Sequence, residues 1–491
     1  MSLTAVIEGP GWSARGLDQR SGRSSLAVEG PVLQAVDRLA PGVSTTTRFV
    51  RYYAMYAALA AHAGRHELNA EACRTLVRRC EAVMAGVSLL LDEPSLAHGV
   101  DRVRPRLGDD LDVAGAAEEY SPRAWGFWEQ YGGPAAVLGT VALENGALRP
   151  GRHSCPAPVR DLFAPLIEAA SHDRLTWDQI EALEPLALLS QELPEGPWLR
   201  DLFTATRNGL HDPDAWEAAD RRRRGALRVV GRAAVLDGRG DEDAVRSVVA
   251  FGNRAAADPV LSKIHDVMAW RGVLLRHYSV GAWRRLWAGL VATINDSGPQ
   301  ELRDWLAGQM PDQSVRAFLN ELPATMVGGH PAPIERAVLA VGDAHDPLTN
   351  VRLLLLGGRR SGELDGATGA AFLGPRTVLN PEWVRLRAED LADRPMRDLA
   401  AGLVDDMLAQ SRRVALATMV PDGGGGARVY SRVHERNGRY YKTGEESAGD
   451  LGLRLGRLAE FALQLGLFDR AGDDGGTTVS PLGARLLEVG A

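Results

Sequence analysis

The chain has 491 residues, 45% of them apolar, and a formal net charge of −7. That is ample for a large core and more than one domain, and too acidic for a protein that binds nucleic acid over its whole surface, so any such contact must be local. No apolar run approaches the ~20 residues that span a bilayer, the N-terminus "MSLTAVIEGPGWSARGLD" has no basic start followed by an apolar stretch, and Cys73, Cys80 and Cys155 are too few for a disulfide framework and lack CxxC spacing; a cytoplasmic protein with no membrane contact is the expectation.

Near the N-terminus, "GLDQRSGRSS" from Gly16 has the outline of a phosphate loop. It carries one residue too many between Gly16 and Gly22, and Arg23 stands where the loop requires Lys. Next, "LAPGVSTTTRFVRYYAMYAALAAHAG" (Leu39–Gly64) combines a Pro-Gly turn, a Ser/Thr run able to cap a helix, and an aromatic helix. Phe49, Tyr53, Tyr56 and Ala60 share one helical face and are expected in the core. Arg48 and Arg51 can pair with carboxylates or with phosphate, and a structural role is the default for arginines among aromatics.

"VSLLLDEPS" (Val87–Ser95) resembles the strand of an ATP-binding cassette enzyme that ends in a metal-binding Asp and a water-activating Glu. The wider pattern argues otherwise. Leu76, Cys80, Val83, Val87 and Leu90 fall on one helical face, Asn69 is a suitable N-cap, and Pro94 stops the helix. No LSGGQ-like signature occurs, so ATP hydrolysis is not expected.

Further on, "AWGFWEQYGGPAAVLGTVALENGALRPG" (Ala124–Gly151) reads as a helix, a short apolar run, a polar turn and a second run. Weak breaks follow at Pro156 and Pro194. "RRRR" (Arg221–Arg224) sits in a helical stretch behind acidic residues, which predicts a solvated face. Ser279–Asp296, Gly298–Met310 and Ser314–Leu322 have helical periods, and Trp283 and Trp287 are expected in the core. His330, Asp343, His345 and Asp346 lie near one another but flank an ordinary apolar element, and no metal is expected there. Met396–Val420 begins as an amphipathic helix and ends in a β-like apolar run. "PDGGGG" (Pro421–Gly426) is a flexible break.

The C-terminal part is the most legible. Arg428–His434 and Arg439–Lys442 meet at Asn437-Gly438, a strong hairpin signal because both residues tolerate positive φ. The hairpin carries Arg428, Arg432, Arg436, Arg439 and Lys442 against Glu435. Alternation puts Arg428, Arg432 and Arg436 on one face, with Arg439 opposite unless the turn resets the register. Leu451, Leu455, Leu458, Ala462 and Leu465 then form a helical face that ends at Gly466. A Gly/Asp-rich turn leads to a last helix capped by Ser480 and Pro481. This order resembles the second half of a winged-helix domain, and Ala124–Gly151 is a fainter echo of it.

The motif "PGVSTTTRFVRYY", with "LVRRCEAVMAGVSLLL" and "GFWEQYGGPAAVLG", resembles uncharacterised bacterial proteins encoded in anti-phage defence islands. The resemblance covers the N-terminal third and the C-terminal wing, and it implies a genomic setting and no particular chemistry. The expected fold is mainly α with small β-hairpins, a helical body bracketed by winged-helix-like modules, divided at residues 1–165, 166–420 and 421–491. The expected function is a non-catalytic DNA-binding or assembly subunit of a multi-protein defence system, with no cofactor. Its partners would be other subunits of the complex and double-stranded DNA, contacted by Arg428, Arg432, Arg436, Arg439, Lys442, Arg48 and Arg51. Two other classes stay open: a protein-interaction scaffold without DNA binding, and a metal-dependent nuclease.

Overall fold

The computed structural model describes residues 25–91, 97–119, 126–190, 193–375, 378–421, 427–471 and 476–490. It is mainly helical, and each sheet among these residues is a two-stranded antiparallel pair. The chain forms two compact units. One holds residues 36–245 with 453–491; the other holds residues 246–452 with the described residues up to 35.

In the first unit, the helix Arg51–Arg65 is buried on every side from Arg51 to Ala60. Tyr52, Tyr53, Met55, Tyr56 and Leu59 are all 0% exposed, where the sequence pattern marks only one face. A helix apolar all round belongs at a centre. The Ser/Thr run before it does not cap it: Val50 is the N-cap residue, and its N–H donates to Gln464 Oε1 at 2.9 Å. Val87–Leu91 closes the helix Ala70–Leu91, with Cys80, Val83 and Val87 buried. The ATPase-like segment is therefore helical as far as Leu91, and Asp92 to Ser95 lie outside the described residues, as does the stretch from Gly16 to Arg23. The segment after Gly126 folds as the helix Gly132–Leu138 and the hairpin Val141–Glu144 with Ala147–Pro150.

The C-terminal module consists of the helix Leu455–Gln464, the hairpin Phe468–Ala471 with Gly476–Val479, and the helix Pro481–Leu487. Gly466 (φ +68°) turns the chain after the first helix, and Ser480 Oγ accepts from Gly483 N–H at 2.9 Å. That helix begins at Leu455, later than Leu451. The module's small core is completed from elsewhere in its unit. Phe461 meets Tyr53 and Phe203 edge-on, with ring centroids 5.9 and 5.5 Å apart.

The helix Ala218–Asp237 corrects the reading of the four-arginine run. Arg221 and Arg222 are exposed, but Arg223 and Arg224 are only 0% and 3% exposed. Arg223 donates to Asp220 Oδ1 and to Leu202 O, each at 2.7 Å. One row of this helix, Arg224, Arg228 and Arg232, donates to the carbonyls of Leu486, Leu487 and Val489 at 2.7, 2.8 and 2.9 Å. The spacing of four residues stacks them on one face. The acceptors lie at the end of the last helix, where carbonyls lack intrahelical partners and cations complement the helix dipole. The acidic residues upstream suggested a solvated face; the acceptors are carbonyls from the far end of the chain.

In the second unit, the helix Val267–Thr293 starts well before Ser279 and buries Trp283 and Trp287. The helices Pro299–Ala307 and Val315–Glu321 follow, and Ser314 caps the latter. The helix Met396–Ala417 runs straight through the expected β-like stretch. Val404, Met407, Leu408, Ser411 and Ala415 are buried at helical spacing, so the apolar run extends one helical stripe. The basic hairpin, Val433–Arg436 with Arg439–Lys442, turns at Asn437 (φ +52°) and Gly438 (φ +74°), the geometry of a type I′ turn. Tyr440 exchanges both backbone hydrogen bonds with Ser297 at 2.8 Å. That pairing ties the hairpin to this unit and not to the C-terminal module. Residues 422–426 of the expected break lie outside the described residues.

Candidate anion-binding site

On the hairpin, the register pairs Arg436 with Arg439 and His434 with Tyr441. Directly opposed residues of an antiparallel pair share a face, so the two-residue turn brings Arg439 to the side of Arg436. Most of its cations are already engaged. Arg432 pairs with Glu446 at 3.1 Å, Arg439 with Asp296 at 3.1 Å, and Lys442 with Glu445 at 2.7 Å. Arg412, on the neighbouring helix, takes Glu435 at 3.1 Å. The Arg436 side chain is exposed, without a hydrogen bond or ion pair among the described residues. The Arg428 backbone pairs with Val420, and its side chain lies outside the described residues. Exposed pairs of this kind hold together by about 0–1 kcal/mol, but each carboxylate cancels a positive charge that a polyanion would otherwise meet.

The aromatic N-terminal stretch treats its two arginines oppositely. Arg51 is 1% exposed, its Nε 2.7 Å from Glu195 Oε1 and its Nη1 bonded to Ala187 O. Of the two partners open to it, this guanidinium has taken the carboxylate. Arg48 is exposed and has no side-chain hydrogen bond or ion pair among the described residues. Its backbone is fixed: the N–H groups of Arg48 and Phe49 donate to Tyr131 Oη at 3.0 and 2.9 Å, and Gln464 Nε2 donates to Arg48 O at 2.8 Å. Before it, Thr47 Oγ1 donates to Ser44 O at 2.9 Å. The Ser/Thr run thus folds a tight loop that holds Thr45, Thr46 and Arg48 outward.

These side chains line a cavity of about 690 Å³ together with His98, Asp101, Arg102 and Arg457. Arg102 is exposed and its side chain, like that of Arg48, has no partner among the described residues. Arg457 is partly committed, donating to Thr45 O at 3.3 Å and pairing with Glu460. His98 is 8% exposed and its Nε2 has no hydrogen-bond partner. Its ring lies 4.5 Å from that of Tyr52 and 5.2 Å from that of Tyr131. Burial, assisted by the charge of Arg48, lowers its pKa to about 4, so the imidazole is neutral at physiological pH. The wall offers two unpaired guanidiniums, hydroxyls and a neutral imidazole against one carboxylate, Asp101. That chemistry suits an oxyanion.

Sequence reasoning found Arg48 and missed His98, Arg102 and Arg457. His98 and Arg102 stand four residues apart in one segment and Arg457 in another, and no sequence motif joins either to Arg48. The His/Asp group near residue 343 is spent on turns. Asp343 Oδ1 accepts from His345 N–H at 2.9 Å, and Asp346 caps the helix Pro347–Ser361. Among the described residues, no three His, Cys, Asp or Glu side chains converge as a metal site.

No protein-family model, curated protein or solved structure matches the chain.

Proposed function

We propose that the chain is a non-catalytic subunit that binds double-stranded DNA through phosphate contacts, acting with other subunits of a cytoplasmic bacterial anti-phage defence assembly. One observation carries the binding: Arg48 and Arg102, both exposed and both without a carboxylate partner among the described residues, converge on one cavity. The defence setting rests on the resemblance of "PGVSTTTRFVRYY" alone. Guanidinium contacts to phosphate carry no sequence information, so binding is expected to be salt-sensitive and indifferent to sequence.

The test is fluorescence anisotropy with two labelled duplexes of unrelated sequence. Both should bind equally at low salt, with log K falling against log salt by about 0.9 per phosphate engaged. If neither duplex binds at low salt, the DNA reading fails and the protein is an interaction scaffold. Steady metal-dependent cleavage of the duplex would replace both readings with a nuclease.

A further inference from the structure

We infer that Gln464, a residue of the C-terminal module that lines no part of the Arg48 cavity, is a positioning residue for Arg48, and that the module thereby sets how tightly the cavity holds phosphate. The phosphate part of this inference rests on the DNA reading of that cavity; the hold on the loop does not.

One helix face carries it. Arg454, Arg457, Phe461 and Gln464 follow one another at the spacing of a single helical face, and that face lies against residues 43–53. Arg454 Nη1 donates to Val43 O at 2.7 Å, and Arg457 Nη2 to Thr45 O at 3.3 Å. Phe461 meets the ring of Tyr53 edge-on. Gln464 closes the row. Its Nε2 donates to Arg48 O at 2.8 Å, and its Oε1 accepts from Val50 N–H at 2.9 Å. A side-chain amide offers both a donor and an acceptor, and here one amide grips the backbone on either side of Phe49. Val50 is the N-cap residue of the helix Arg51–Arg65, so its N–H has no intrahelical acceptor. Because the Arg48 side chain is exposed and has no partner among the described residues, its backbone is what aims it. Tyr131 also holds this stretch, through the N–H groups of Arg48 and Phe49. Loss of the Gln464 amide therefore loosens the loop without unfolding it, and an anion must then order Arg48 as it binds, which lowers affinity without removing a charge.

The experiment is a double-mutant cycle of Gln464→Met and Arg48→Ala in the full chain. Duplex affinity is read by anisotropy at several salt concentrations, and residue-resolved hydrogen exchange is read without DNA. Methionine keeps the length of glutamine and removes both hydrogen-bonding groups. Gln464→Met should speed exchange at Arg48 and Phe49, whose own partner Tyr131 is untouched. It should lower affinity about threefold to tenfold, the effect of ordering one loosened side chain and its loop. The salt slope should stay within about half a unit of wild type, because Arg48 still reaches its phosphate. In the Arg48→Ala background, Gln464→Met should change affinity less than about twofold, since it acts through Arg48. Gln464→Glu, which keeps the acceptor for Val50 N–H, should retain part of the exchange protection. Unchanged exchange at Arg48 and Phe49, unchanged affinity, or a loss of affinity that multiplies in full with that of Arg48→Ala overturns the positioning role. If wild type binds no duplex at low salt, the DNA reading fails, and exchange at Arg48 and Phe49 alone decides whether Gln464 holds the loop.

Discussion

Residues 428–442 and 44–51 are both rich in arginine, yet the fold uses them differently. On the hairpin, Arg432, Arg439 and Lys442 each face a carboxylate, and Arg412 covers Glu435. In the N-terminal stretch, Arg51 disappears into a buried pair while Arg48 is held out, unpaired, by a loop whose backbone is fixed through Tyr131, Gln464 and Thr47. The hairpin has more cations, yet among the described residues each stretch leaves one guanidinium without an acid, Arg436 and Arg48. Counting basic residues alone therefore overstates the difference; what sets Arg48 apart is that it shares a cavity with a second unpaired guanidinium, Arg102.

The largest expected effect separates Arg51 from Arg48. Arg51→Ala strands Glu195 as a buried charge and should cost about 3–5 kcal/mol of stability, read as a fall in Tm. Arg51→Met with Glu195→Leu should recover most of it, which a role in ligand binding would not allow. Next comes pH. Burial also lowers the pKa of His277 to about 4, like that of His98. As pH falls through about 6.5 the unfolded chain takes up these protons first. Stability should therefore drop between about pH 6.5 and 4 and change little further from these groups below that. His98→Gln should remove its own share, which comparison of Tm at pH 7 and pH 5 detects.

A smaller effect is expected at the arginine row of the helix Ala218–Asp237. Arg228→Ala leaves Leu487 O without its donor and should cost about 1–3 kcal/mol, with faster hydrogen exchange confined to residues 481–490. Smallest in stability is Arg48→Ala with Arg102→Ala. These exposed positions should shift folding by no more than about 0.5 kcal/mol, yet lower DNA affinity about tenfold or more at low salt.

Much of the local structure is legible in the sequence. Asn437-Gly438 dictates its turn because few other pairs accept two positive φ values, and the spacing of Cys80, Val83 and Val87 marks a helix however strongly "LLLDEP" suggests a strand. The mainly helical class follows from such periods. What is not legible is the meeting of distant segments. Arg224 looks solvated until the carbonyl of Leu486, from the far end of the chain, is brought to it. The hairpin looks like part of the C-terminal module until Ser297 pairs with Tyr440. His98 has no motif at all; only the fold brings it to one cavity with Arg48 and Arg102.

The salt dependence of duplex binding, measured in two variants side by side, tests the placement of the anion site most directly. Arg48→Ala/Arg102→Ala should lower the slope of log K against log salt by about two, one for each guanidinium removed from a phosphate, while Arg432→Ala/Arg439→Ala should leave it within about half a unit of wild type. The reverse pattern, with the slope falling only in the hairpin variant, would contradict the assignment of the anion site to the Arg48 cavity.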